Sequence, residues 1–344
     1  MKRQKVTIHD IARELNTTAS TVSRALQDHP RISKGMKEAV LKLSQKLNYQ
    51  PNSMASGLRK GKGNTIGVIV PYINRYFFAS VIKGIEDVAS KAGYNVLICQ
   101  SYDSYDREKV IVETLINGKV DGLVVSLASE TIDLTHFKLT QSKGLPLIFF
   151  DRVPIHMDVH KVEIDDFLGA YQAVEHLISQ GCKRIVHFCG PQQVSIYQNR
   201  FEGYKSALLK NNLPFDESYV FKETVTREAG EQAAIDISKM RTLPDGIFSA
   251  GDFSAMGALL KFKELGIKIP KEIAIVGFAN EPYDDMLEPK LSSVDQHSLE
   301  MGHSVAKLFL DEIQENHGTV VSKKILLNPE LRVRESSLKK SVNQ

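Results

Sequence analysis

The hydrophobic rhythm of this chain changes near residue 65. Beyond it, apolar runs of four to six residues at 66–70, 96–99, 122–126 and 147–150 alternate with amphipathic stretches that begin near Ala79, Asp106 and Leu134. A second series follows, with runs at 184–189, 246–249 and 274–277 and helical periodicity over 167–180, 199–210, 227–239 and 254–265. Short, wholly apolar runs separated by helices predict buried parallel strands joined by right-handed crossovers. Two such series in one chain predict an α/β body of two lobes with parallel sheets.

Before residue 65 the pattern is helical. Ile8, Ile11, Ala12 and Leu15 mark one helix face, with Thr7 and Asp10 spaced as a capping box. The helix ends near Asn16, and Thr18 is placed to cap a second helix. In that helix Val22, Ala25 and Leu26 form an apolar stripe, opposite Ser20, Ser23, Arg24 and Gln27. A third helix over 33–47 turns Met36, Val40, Leu43 and Leu47 inward. Two short helices joined by a tight turn are a helix-turn-helix, whose second helix enters the major groove. Thr18, Ala19, Ser20, Thr21, Ser23 and Arg24 are the candidate readers. Hydroxyls read donors or acceptors, a methyl touches thymine, and a guanidinium suits a guanine edge or a phosphate. The plain alternative is a three-helix bundle with a solvated face.

Charge argues against that alternative. Residues 1–64 hold 13 Lys and Arg against 4 Asp and Glu, whereas the remainder holds 31 against 37. A basic head on a mildly acidic body is the footprint of a polyanion-binding module. No apolar run reaches membrane length, and the opening Met1-Lys-Arg-Gln-Lys5 lacks the apolar core of a secretory signal, so neither membrane insertion nor export is expected. Cys99, Cys182 and Cys189 lack zinc or redox spacing and predict buried, reduced thiols in a cytoplasmic protein.

Residues 48–65 join head to body. Pro51 is suited to open a short helix, Gly57 weakens it, and 61–64 form a flexible basic spacer. A phosphate-loop reading fails because Gly61 and Gly63 precede a strand. The expected organisation is a DNA-binding head over 1–50, a hinge and linker over 51–64, and a two-lobed effector-binding and dimerisation domain over 65–340.

Thr7-Ile-x-Asp-Ile-Ala12, Thr21-Val-Ser-Arg-Ala-Leu26, Tyr49-x-Pro51-Asn52, Leu58 and the strand Ile66-Gly-Val-Ile-Val-Pro71 together resemble the lactose-repressor/galactose-repressor (LacI/GalR) family. The likeness runs from Thr7 to the Arg332-Val-Arg-Glu-Ser-Ser337 ending. It implies a homodimeric regulator, most often a repressor, that binds double-stranded operator DNA under control of a small carbohydrate-like effector. It implies that residues near 51–59 form a hinge helix on the operator, with Asn52 in the DNA-binding set and Leu58 wedged into the minor groove. Ser56 stands where many relatives have arginine. No heptad tail follows Ser337 to make a tetramer.

Ligands of open α/β sheets sit beyond the carboxyl ends of strands, so the cleft between the lobes is the expected effector site. Phe77 and Phe78 follow the first strand, and the resemblance points to Phe78 as a ligand contact. Asp151 and Arg152 follow the run at 147–150, where a carboxylate suits a sugar hydroxyl and the arginine suits either the ligand or a bridge between lobes. Arg200 matches the position where a guanidinium reaches the effector in relatives. Gly251 replaces a common asparagine, Asp252 is expected to cap a helix, and Gln296 lies near a lobe crossover. Ala279 stands where relatives usually have aspartate, and Asn280 is the candidate substitute.

Catalysis finds no assembled constellation. His156 and His160 are four apart but lack helical periodicity and a His-Glu-x-x-His pattern, and no Gly-x-Ser-x-Gly elbow exists. Neither metal nor cofactor is expected. Competing readings are a small-molecule binding protein of transport or sensing type, which the basic head disfavours, and an enzyme on the same scaffold.

Overall fold

The structure is a computed structural model that describes residues 6–49, 63–315 and 321–339. The described residues form two compact units divided between Gly63 and Asn64.

The first unit holds α1 (Ile8–Glu14), α2 (Ala19–Leu26) and α3 (Lys34–Lys46). Ile11, Ala12, Val22, Ala25 and Val40 make its core, with Met36, Leu43 and Leu47 packed around them. Local chemistry sets the helix ends. The Asp10 carboxylate accepts from the Thr7 N–H at 2.8 Å and the Thr7 hydroxyl at 2.7 Å. Thr18 caps α2 by accepting from the Thr21 N–H at 3.1 Å, and Ser33 does the same for α3 from Met36.

The second unit begins with β1 (Thr65–Val70), α4 (Tyr76–Ala89), β2 (Asn95–Gln100), α5 (Tyr105–Asn117), β3 (Gly122–Val125), α6 (Thr135–Ser142), β4 (Leu147–Phe150) and β5 (His160–Ile164). The chain then crosses into a second lobe through α7 (Asp166–Ser179), β6 (Ile185–Phe188), α8 (Ser195–Lys210), β7 (Val220–Phe221), α9 (Arg227–Ser238), β8 (Gly246–Ser249), α10 (Asp252–Glu264), β9 (Ala274–Ala279) and β10 (Ser292–Asp295). It returns to the first lobe as α11 (Ser298–Gln314) and β11 (Lys324–Leu327), and crosses once more to end in β12 (Glu330–Arg332). The sheet orders are β11-β5-β4-β3-β1-β2 and β12-β10-β9-β8-β6-β7.

The first sheet is parallel throughout. The second departs from the expected parallel sheet at one edge, where β12 runs antiparallel to β10. Crossing direction explains this. Strands of both lobes run toward the cleft, so a chain that enters the second lobe directly as a strand must run away from it. The other two crossings enter as helices, which run away from the cleft without reversing any strand.

All seven expected strands form, but β5, β7, β10, β11, β12 and the helix α11 were not among the expected elements. β10 shows why. Its Ser292 and Ser293 are fully buried because Ser292 meets the Arg334 carbonyl at 2.9 Å and Ser337 at 2.7 Å, and Ser293 meets Asp252. A hydroxyl becomes core material only when a distant segment satisfies it. Three helices start earlier than periodicity indicates, α4 at Tyr76, α8 at Ser195 and α10 at Asp252. In the first lobe α4 and α11 touch backbone to backbone. A Cβ on Gly84 would strike the Leu299 carbonyl, and one on Gly302 the Val81 carbonyl.

Candidate functional site

On the head, α2 presents Ser20, Arg24 and Gln27 exposed, with Thr18 exposed at its cap. Ala19, Thr21 and Ser23 are half-buried. The Thr21 hydroxyl lies 3.0 Å from that of Thr18, so both are partly held by the cap. Lys37 on α3 pairs with Asp28 at 2.7 Å and fixes the turn that follows α2. Asn52 and Leu58 lie outside the described residues.

In the body, the loops beyond β1, β2, β3 and β4 line the cleft from the first lobe. Asp151 takes a left-handed backbone, φ 58°, directly after β4 and is buried. Its Oδ2 accepts from the Ser126 hydroxyl at 3.1 Å. Burial raises its carboxyl above the usual range, with Arg152 and Arg200 pulling the other way. The neighbouring Arg152 donates from Nη1 to Asp103 Oδ1 at 2.5 Å, while its buried Nε has no hydrogen-bond partner among the described residues. Burial works against that guanidinium charge, and the carboxylates of Asp103 and Asp151 support it. Phe77 and Phe78 are buried in the first-lobe core, where Phe78 meets Phe150 edge-on at 6.4 Å. They buttress the strand end that carries Asp151.

From the second lobe, Arg200 is 3% exposed. Its Nε donates to Asp166 at 2.7 Å, Nη1 to the Ala250 carbonyl at 2.7 Å and Nη2 to Gln296 at 3.2 Å, and its Cζ lies 3.7 Å above the Phe278 ring. Asp166 and Gln296 sit at two of the three crossings, so this arginine ties the cleft floor to the chain segments that bend when lobes move. Burial pushes the Asp166 carboxyl up to about 7 against the pull of Arg200.

Asn280 is fully engaged elsewhere. Its Nδ2 donates to Asp295 at 3.0 Å and its Oδ1 accepts from Arg334 at 2.7 Å. It lines a cavity of about 590 Å³ beside the second crossing, with Tyr76, His297, His303 and Lys307 among its walls. Ala279 is strained, with φ 144°. A Cβ at Gly251 would meet nothing within 4 Å, so space stays open at the start of α10. Gly251 is itself the N-cap of that helix, displacing Asp252 from the expected role. Asp252 instead ties β9 to β10, accepting from the Ser293 hydroxyl at 2.8 Å and the Glu281 N–H at 3.2 Å.

His156 is exposed, while His160 is buried on β5 and accepts from the Lys323 N–H at 3.0 Å, so the pair does not converge. Among the described residues no group of three or more His, Cys, Asp or Glu side chains is arranged to hold a metal ion, and no helix is long and apolar enough to cross a membrane. Sequence reasoning missed Asp103, Ser126, Tyr197 and Arg75. The strand-end rule that selected Asp151 points equally to Ser126 and Asp103.

Residues 7–52 match the profile of bacterial regulatory proteins, lacI family, and residues 174–337 that of the periplasmic binding protein-like domain. The HTH-type transcriptional repressor CytR of Escherichia coli (strain K12) is 30% identical over 332 residues, covering 96% of each chain. The structure of the transcriptional regulator CelR–cellobiose complex is 26% identical with a TM-score of 0.73, covering 96% of this chain and 99% of that one. The lac repressor dimer bound to operator and the anti-inducer ONPF shares the fold at a TM-score of 0.86 and 22% identity, covering 97% of this chain and 100% of that one.

Proposed function

The chain belongs to the lacI family of bacterial regulatory proteins, a DNA-binding transcriptional regulator, and from that premise we propose that it is a cytoplasmic homodimeric repressor whose operator affinity is set by a small carbohydrate bound between its lobes. The observation that carries this reading is the end of β4, where the buried Asp151 and Arg152 stand side by side and the Arg152 Nε has no hydrogen-bond partner among the described residues. A carboxylate and guanidinium groups side by side match the alternating donors and acceptors of a polyol. CelR, seen with cellobiose, supplies the chemical class by likeness.

In this reading Asp151 and Arg152 hold the ligand, Arg200 relays its presence to the crossings through Asp166 and Gln296, and Phe77 and Phe78 keep Asp151 in place. Thr18, Ala19, Ser20, Thr21, Ser23 and Arg24 read the operator, with Asn52 and Leu58 in the joint completing the contact. Asn280 serves the crossing network and reaches the ligand only through it. The head over 1–50, the joint over 51–64 and the body over 65–340 act as reader, coupler and sensor. The first lobe favours a second copy as partner, because its edge strand β2 exposes Leu97 and Ile98 at 47% and 45%. Coupling requires only that the sugar bind the two lobe arrangements unequally, commonly by about 1–3 kcal/mol.

Selection of bound fragments from the source genome, followed by titration of the winning duplex at fixed salt, tests the reading. Arg24→Ala should weaken that duplex by about 1–3 kcal/mol and leave random duplex nearly unchanged. A panel of sugars added to the wild-type complex should contain one that shifts affinity. An intact protein that prefers no genomic fragment would refute the function.

A further inference from the structure

Away from the three crossings, one contact bridges the lobes at one end of the cleft. Arg75, which precedes α4 in the first lobe, lays its guanidinium 3.9 Å above the ring of Phe253 in the first turn of α10 in the second. Phe253 is held in turn by Tyr283, edge-on at 5.5 Å. Glu281, just past β9, is buried on the same side, where burial and then Asp252 push its carboxyl up and Arg75 pulls it down. A first-lobe cation therefore meets both a ring and an acid of the second lobe.

We propose that Arg75 and Phe253, with Glu281 beside the cation, form a latch that ties the two lobes at this end of the cleft, so that moving one lobe against the other must part the guanidinium from the ring. The latch stands on the lobe geometry and survives whatever the effector proves to be.

Hydrogen exchange of the full-length protein without ligand tests the proposal. Arg75→Ala and Phe253→Ala should each raise exchange several-fold in segments 72–80 and 250–255, one in each lobe. The double variant should add little to either single one, because each removes the same contact. Unchanged exchange in both single variants, or a rise confined to the lobe that carries the substitution, would overturn the latch. So would fully additive effects in the double variant.

Discussion

The two lobes share one plan but give the cleft different things. The first contributes side chains with hydrogen-bonding capacity in reserve. Among the described residues the Arg152 Nε has no hydrogen-bond partner, and the buried Asp151 accepts one side-chain hydrogen bond, from Ser126. The second contributes Gly251 and Ala279, with no polar side chain, and an arginine committed to Asp166, Ala250 and Gln296. One lobe is built to recognise and the other to transmit. A group that must sense a ligand keeps a donor or acceptor free, whereas a group that must move a hinge is already bonded to it.

The largest effect should come from breaking the transmitting side. Arg200→Ala leaves Asp166 buried without its cation and should cost about 3–5 kcal/mol of body stability, read by chemical denaturation. A loss below about 1 kcal/mol would mean that Arg200 serves recognition only. The recognising side should behave in the opposite way. Asp151→Asn should weaken effector binding by about 1.5–3 kcal/mol, read by calorimetry, with little change in unfolding, since burial already penalises the carboxylate. If it unfolds the body and spares the ligand, the division of labour between lobes is wrong.

A smaller effect concerns where each lobe keeps its uncomfortable acids. The second lobe holds Glu281 and Asp284 at the cleft, while the first holds Glu312 away from it, with one oxygen lacking a hydrogen bond. Burial and then Glu315 push the Glu312 carboxyl up to about 7. The folded state therefore binds this proton more tightly than the unfolded chain, and stability from this group falls as pH rises from about 4.5 to 7. Glu312→Gln should add about 1–2 kcal/mol at pH 8 and nothing at pH 5, with effector affinity unchanged at both. The smallest change should come from Ala279→Gly. Releasing the strain at φ 144° outweighs the entropy of glycine, for a gain of about 1 kcal/mol in thermal unfolding. A loss of stability there would indicate that the Ala279 methyl packs and that the second lobe is less bare than it looks.

The head was legible almost residue by residue. Its caps and core lie within a few dozen positions, and Thr7, Asp10, Thr18, Val22 and Val40 all act where their spacing put them. The strands that are apolar throughout, such as β4 and β8, were equally readable, because burial on both faces leaves one composition. β10 and β12 were not, since their burial or pairing depends on partners more than thirty positions away. At the candidate site the strand-end rule pointed to Asp151 and Arg152 and the family likeness to Arg200, but neither signalled the bond between Asn280 and Arg334, and both passed over Arg75.

Local chemistry in the sequence determined which segments of the head become helix, where their caps lie, and which apolar runs become buried strand. Only the tertiary structure decided which of those residues are free and which are already bonded. A donor's availability depends on groups brought beside it by folding, and Arg152 and Arg200 carry the same five N–H groups into surroundings that leave one partly unmatched and bind the other to the hinge.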